Sequence, residues 1–359
     1  MKYSIDINLT DASKVSEVDF NNIPFGKVFS DHMFMADYED GEWKNFEIVP
    51  FQPLNLYPSA IVLHYAQTIF EGMKVMKNPA GEPVLFRPEM HSQRLNRSAR
   101  RMAMPELPED LFLQALTELI SIDHNWIPNT PDSALYVRPF MIANDQFIGV
   151  RPSETYKFII FTAPVGAYYS KPVKLWATDK YVRAIEGGTG FAKAGGNYAA
   201  SLLPQREAQA QGFDQVMWLD GIEHKYIHEC GTMNLFFVID GVVVTPSLDA
   251  GTVLAGITRN SFIHLLKARG YEVQERPITI DELVEATKTG KVQDVFGAGT
   301  AAVVAPVESV HYKGVTYEFP EMEGRKISKQ LKIDLNEVRS GQSEDTFGWT
   351  HPLNVLVEG

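Results

Sequence analysis

The chain has 359 residues, enough for two domains, and its 45% hydrophobic and 22% charged content describes a globular protein. A formal charge of -12 argues against a general nucleic-acid or anionic-membrane surface, since both need a basic face, but leaves room for a small positive pocket. The one cysteine, Cys230, excludes an intrachain disulfide framework and a multi-cysteine metal site; with no signal-like start and no long apolar span, a cytoplasmic protein is expected.

No repeat or low-complexity tract is present. Phe25–Phe29 and Met33–Met35 read as short strands, Ser59–Phe70 as a helix, and Met73–Met76 and Val84–Phe86 as strands around an Asn78–Gly81 turn. Pro88 opens a helix reaching Met104, and a second follows Pro108 with Phe112, Leu113, Leu116, Leu119 and Ile120 at helical spacing. Leu135–Ile142 and Thr155–Ala163 are strand candidates. This predicts a small α/β domain over 1–169, a linker over 170–178 beginning near Tyr169-Ser170-Lys171-Pro172, and a larger domain over 179–359.

In the second half a strand at Val173–Ala177 leads to Glu186-Gly187-Gly188-Thr189-Gly190-Phe191-Ala192-Lys193-Ala194-Gly195-Gly196-Asn197-Tyr198. Glycine lets backbone approach closely, so a lysine in such a frame can be presented at a fixed point; as an isolated feature it also fits a solvated loop. A helix over Tyr198–Ala210 stops at Gly212, and Asp220-Gly221 and Asp240-Gly241 are hairpin signals between β-rich runs. A helix over Thr258–Ala268 closes at Gly270, and Val292–Phe296 is a strand. The second sheet is therefore expected to be mostly antiparallel, and the fold class α/β (α+β).

Gly297-Ala298-Gly299-Thr300-Ala301-Ala302 matches a degenerate dinucleotide pattern, yet strand residues follow it where a helix is required. No P-loop pattern occurs, and the nine histidines include no H-E-x-x-H, so no metal is expected. A different set fits together. The amides of Ile257 and Thr258 lie at a helix start, where anions are favoured, and Thr258 is a candidate cap; Thr300 offers a hydroxyl and Arg94 a charged donor. Glu229, beside the apolar Leu235–Val238 run, is a carboxylate that needs a partner if buried. A lysine, a phosphate cradle and a buried acid are the parts needed to hold pyridoxal phosphate.

These residues belong to longer motifs: Phe25-Gly26-Lys27, Leu63-His64-Tyr65, Phe70-Glu71-Gly72-Met73-Lys74, Tyr136-Val137-Arg138-Pro139, Lys193-Ala194-Gly195-Gly196-Asn197-Tyr198, Glu229–Phe236, Gly256-Ile257-Thr258-Arg259 and Gly299-Thr300-Ala301. In this order they resemble the branched-chain-amino-acid aminotransferases, fold-type IV pyridoxal-phosphate enzymes, over about 25–349. The resemblance implies that Lys193 forms the Schiff base, Glu229 faces the pyridine nitrogen and Tyr198 meets the phenolic oxygen. It implies that Arg94, Thr300 and the Ile257 and Thr258 amides hold phosphate, with Arg183 near the cofactor. Phe25, Tyr65, Phe70, Tyr136 and Tyr168 would wall an apolar pocket, Arg138 with Tyr65 would receive the distal carboxylate of glutamate, and Thr232 and Ala301 the α-carboxylate. Val150 would enter a partner subunit's pocket, implying a homodimer. Ala302 and Ala305 stand where some animal members carry a C-x-x-C pair, so thiol regulation there is not expected.

The implied activity is ping-pong transamination between branched-chain L-amino acids and 2-oxoglutarate. The alternatives are a D-amino-acid aminotransferase or aminodeoxychorismate lyase on the same scaffold, against which the Tyr136-Val137-Arg138 strand and extended N-terminal region argue, and a non-catalytic cofactor-binding protein, against which Lys193 and Glu229 together argue.

Overall fold

The computed structural model describes residues 3–130, 132–166 and 171–353. The chain forms two compact units: unit 1 is Met1–Tyr168, Ala192–Gly195 and Glu337–Gly359, and unit 2 is Tyr169–Phe191 and Gly196–Asn336. The division is not the single cut expected from the sequence, because the residues around Lys193 and the C-terminal stretch fold with unit 1.

Unit 1 carries strands β1 (Asp6–Ile7), β2 (His32–Glu39), β3 (Glu42–Pro50), β4 (Thr68–Phe70), β5 (Met73–Lys77), β6 (Pro83–Phe86), β7 (Ala134–Ala143) and β8 (Tyr156–Val165). They lie in the order β1-β3-β2-β8-β7-β5-β6, with β4 also on β7, and only the β1–β3 pair is parallel. Helices α1 (Ile61–Tyr65), α2 (Pro88–Arg101) and α3 (Glu109–Ile122) complete it. Leu95 and Ala99 of α2 and Leu111, Phe112, Leu116 and Leu119 of α3 share one core with Phe34, Val75, Val137 and Phe158 of the sheet. That is the apolar stripe seen in their helical spacing.

Two expectations fail here. The helix predicted over Ser59–Phe70 stops at Tyr65, because Ala66 turns left-handed at φ 52 and Thr68–Phe70 are recruited to β7 as a strand. Phe25–Phe29 is not a strand: residues 25–27 form a turn in which Gly26 has φ 71.

Unit 2 carries β9 (Val173–Ala177), β10 (Gln215–Leu219), β11 (Ile227–Cys230), β12 (Met233–Ile239), β13 (Val242–Thr245), β14 (Val273–Glu275), β15 (Val292–Gly299), β16 (Val303–Tyr312) and β17 (Val315–Glu318). The order is β11-β10-β9-β16-β15-β12-β13-β14, and β11 also pairs with β12, so six strands close into a ring. Most pairs are antiparallel; β9 runs parallel to both neighbours and β13 parallel to β14. The expected linker therefore contains β9, whose Val173, Leu175 and Ala177 alternate inward with Lys174 and Trp176 outside that buried set. A last strand of unit 1, β18 (Thr350–Pro352), pairs with β6.

The remaining helices are α4 (Gly195–Ala199), α5 (Leu202–Ala210), α6 (Ile257–Ala268), α7 (Ile280–Lys288) and α8 (Ile327–Arg339). The single helix expected over Tyr198–Ala210 is split between α4 and α5. Pro204 has no N–H to return to the Ala200 carbonyl and is tolerated only in the first turn of a new helix. Asp240-Gly241 is the predicted tight turn, with φ 50 and 80 as a type I′ hairpin demands. Asp220-Gly221 opens a longer loop instead, in which the Asp220 carboxylate accepts the N–H groups of Ile222, Glu223, Lys225 and Tyr226. Thr279 caps α7 by accepting the Glu282 N–H at 3.0 Å. Thr279→Ala should lower stability by about 1 kcal/mol. An unchanged denaturant midpoint would contradict the capping role.

Candidate functional site

Lys193 is positioned by unit 1. Its neighbours Ala192 and Ala194 are buried in the unit 1 core, Ala194 bridges Ile69 of β4, and the Lys193 carbonyl accepts the Phe70 N–H at 3.0 Å. Its own N–H donates to Ser98 Oγ at 2.9 Å. Gly195 is required by close approach, since a Cβ there would stand 2.7 Å from Thr68 Cγ2. The Lys193 ammonium lies 4.8 Å from the centroid of the Phe70 ring.

Next to this segment, α2 presents a buried polar face. Arg94 is 4% exposed rather than a surface residue, and its Nε and Nη2 each donate to Glu71 at 2.7 Å. His91 Nδ1 meets the same carboxylate at 2.7 Å. Burial opposes ionisation of Glu71, but the Arg94 charge and hydrogen bonds outweigh it and hold the carboxyl well below its ordinary range. Burial pushes His91 below the usual histidine value, against the pull of Glu71. In the sequence Glu71 is legible only as part of a motif, and nothing there signals its clamp on Arg94.

The aromatic wall also forms within unit 1. The Arg138 guanidinium sits 4.8 Å from the Phe70 ring centroid and 5.3 Å from that of Tyr136, and Nη2 donates to the Tyr136 hydroxyl at 3.2 Å. Phe25 meets Tyr136 edge-on at 6.0 Å. A Cβ on Gly72 would lie 2.0 Å from the Tyr136 hydroxyl, so only glycine leaves that hydroxyl its place. Among the described residues, Arg138 Nε is buried with no hydrogen-bond partner. Tyr65, at the end of α1, has its ring against His64, and Val150 is 90% exposed in the β7–β8 loop. Tyr168 lies outside the described residues.

Unit 2 holds the carboxylate. Glu229, on β11, is 2% exposed; Oε1 accepts from Asn234 Nδ2 at 3.1 Å and from the Leu254 N–H at 2.9 Å, while Arg183 Nε stands 2.9 Å from Oε2. Arg183 also donates to the Thr252 and Gly190 carbonyls at 3.0 and 3.3 Å. Asn234 is seated by the Leu254 carbonyl at 2.9 Å, and its Oδ1 lies 2.0 Å from where a Gly256 Cβ would be. Gly256, not Thr258, is the N-cap of α6. Thr258 sits one residue past Ile257 inside the first turn, because the extended residue preceding the helix is the glycine. The α6 start thus has no side-chain cap, and Ile257 and Thr258 are both buried there.

Thr300 and Ala301 are half-buried in the β15–β16 turn, which Val303 closes at φ 60, a strained value for a β-branched residue. Thr232 is exposed in the β11–β12 turn, and Tyr198 is half-buried in α4. Taken unit by unit, the amine of unit 1 and, in unit 2, a buried carboxylate with donors around it and a helix start without a side-chain cap are the residue types that the carbonyl, ring nitrogen and phosphate of pyridoxal phosphate call for, so the residues present fit that group. Among the described residues, no group of three or more His, Cys, Asp or Glu could hold a metal, and no helix is long and apolar enough to cross a membrane.

The family model for amino-transferase class IV matches residues 68–310. The chain is 46% identical to branched-chain-amino-acid aminotransferase 2 of Bacillus subtilis, over 99% of each chain. It is 43% identical to the branched-chain-amino-acid aminotransferase of Mycolicibacterium smegmatis, again over 99% of each. Among solved structures, the Escherichia coli branched-chain amino acid aminotransferase superposes with TM-score 0.74 at 30% identity, covering 90% of this chain and 99% of that one. A T.th. branched-chain amino acid aminotransferase complexed with N-(5'-phosphopyridoxyl)-L-glutamate gives TM-score 0.71 at 28% identity, covering 89% and 98%.

His228, beside Glu229, contacts Thr252 Oγ1 through Nε2 at 3.2 Å, and burial pushes its pKa down to about 4. A histidine neutral when folded but protonated near 6.5 when unfolded leaves stability intact above 6.5. Stability is lost as pH falls toward 4, by roughly 2–3 kcal/mol. Wild type should therefore lose more stability than His228→Asn between pH 7 and 5 in denaturant titrations; equal losses would sink this account.

Proposed function

The chain belongs to the class IV aminotransferases and, within them, to the branched-chain-amino-acid aminotransferases, and from that premise we infer that it transfers the amino group of leucine, isoleucine and valine to 2-oxoglutarate. The cofactor is pyridoxal phosphate, and the exchange is ping-pong: one amino acid leaves as its 2-oxo acid before the second substrate enters. What carries the reading is near-full-length likeness together with a lysine whose backbone N–H and carbonyl are both held and a separately buried carboxylate that accepts from Asn234 and the Leu254 amide.

Pyridoxal phosphate, when bound, supplies an electrophilic carbon and a ring that accepts the electron pair left by a departing Cα proton. Lys193 would carry the covalent link to that group, and its Nζ would take and return a proton at the substrate Cα. Glu229, its charge supported by Arg183, Asn234 and the Leu254 amide, is the partner for the ring nitrogen. Arg94, the Ile257 and Thr258 amides and Thr300 would hold the phosphate, Tyr198 would meet the phenolic oxygen, and Thr232 and Ala301 would take the α-carboxylate.

Phe25, Phe70 and Tyr136 give an apolar wall for branched chains. Within it Arg138, with its buried Nε, receives the distal carboxylate of glutamate or 2-oxoglutarate. One pocket thus serves an aliphatic and an anionic side chain. A cytoplasmic homodimer belongs to the same reading. Phe147, Ile148 and Val150 stand exposed in one loop, which supports Val150 as the residue offered to a second copy, and the lone buried Cys230 suits a reducing compartment.

Turnover of leucine with 2-oxoglutarate, and none of D-alanine or aminodeoxychorismate, tests the activity. Glu229→Gln should raise the barrier by about 2–4 kcal/mol, read as a fall in kcat with the cofactor still bound. Arg138→Met should weaken 2-oxoglutarate by about 1.5–3 kcal/mol through loss of a charged donor while leaving the leucine half-reaction nearly intact. Equal losses for both substrates would remove Arg138 from the carboxylate role.

A further inference from the structure

Nothing in the local sequence holds Lys193 still, since Gly190, Gly195 and Gly196 surround it. The constraint comes from elsewhere in unit 1. Its carbonyl is taken by the Phe70 N–H of β4, and its N–H is taken by the Ser98 hydroxyl of α2. Ser98 is 0% exposed, and the same hydroxyl donates to the Arg94 carbonyl one turn earlier at 3.0 Å. With its proton committed to Arg94 and a lone pair to Lys193, the hydroxyl has a defined orientation.

Arg94 is itself fixed through Glu71, so one helical face carries His91, Arg94 and Ser98, spaced to point the same way, and grips the lysine segment at its end. Serine is a poorer helix former than alanine, and this back-bond to the preceding turn does not strengthen the helix. The effect of the hydroxyl falls on what it accepts from.

We propose that Ser98 is the positioning residue for Lys193: its hydroxyl sets the point on the backbone from which the reactive amine departs and registers that point against the helix bearing Arg94. This rests on the reading that Lys193 forms the covalent link and Arg94 holds phosphate. Proton transfer demands placement of the amine to a few tenths of an ångström, so release of the N–H anchor acts on Lys193 chemistry and leaves the guanidinium, clamped by Glu71, in place.

The test uses the full chain freed of cofactor and reloaded. Pyridoxal, which lacks phosphate, probes the lysine alone through the absorbance of its link to the protein, and inorganic phosphate probes the cradle alone as a competitor of reloading. For Ser98→Ala the link to pyridoxal should form about tenfold more slowly, with its pH profile shifted, while phosphate affinity stays within about twofold of wild type. Ser98→Thr, which keeps the hydroxyl, should recover most of the rate.

Wild-type rates in Ser98→Ala would overturn the proposal. So would a parallel loss of pyridoxal linkage and phosphate affinity with a lowered melting temperature, since that marks a merely structural serine. If Ser98→Ala fails to fold, a folded Ser98→Thr as slow as the Lys193-free background overturns it, and near-wild-type linkage supports it. Lys193→Ala separates the underlying reading: if that variant still forms the link, the lysine assignment fails, and the proposal with it.

Discussion

A carboxylate cannot be taken out of water without donors to replace the water, and Glu229 organises much of unit 2 through that requirement. It sits on β11, the strand that closes the ring by pairing with β10 and β12, opposite Trp218 on one side and Asn234 on the other. Asn234, the Leu254 amide and Arg183 are its donors, and the Asn234 and Arg183 side chains are held in turn by backbone carbonyls. Gly256 is glycine because the Asn234 oxygen occupies the space of its side chain, and Gly256 is also where α6 starts without a side-chain cap. The buried acid and the start of α6 are thus consequences of one packed arrangement.

Unit 1 repeats the device with different parts. Glu71 is buried between Arg94 and His91, and the pair stays charged because the guanidinium lies side-on across the carboxylate. In both units a guanidinium and a carboxylate fix each other, so neither has to be ordered when a ligand arrives. Arg138 is different. Its Nη2 is held by Tyr136, its face by Phe70, and its buried Nε is left as a donor, which suits a group meant to meet a charge that comes and goes.

Much of the site is legible without coordinates. Lys193, Glu229, Arg138 and the Gly256-Ile257-Thr258 helix start stand in motifs long enough to be read, and the apolar, β-rich runs of β7, β8 and β12 mark those strands. The errors have a common origin. Thr68–Phe70 has no strong strand pattern of its own and becomes one only because β7 offers an edge. Val173–Ala177 can serve as both strand and linker until its two parallel neighbours are known. Arg94 can be read as a donor to phosphate, but not as the partner of Glu71, twenty-three positions away.

The sequence by itself determined the chemistry: which side chains are amine, acid and guanidinium, and which turns and helix starts accompany them, because those depend on residue identity and spacing of a few positions. Only the tertiary structure decided how firmly each is held. The Lys193 N–H reaches a hydroxyl 95 positions earlier in the chain, and the Glu229 carboxylate meets an amide 25 positions later. Such pairings follow from which surfaces must leave water together, and that is settled by the packing of the whole unit rather than by any short stretch.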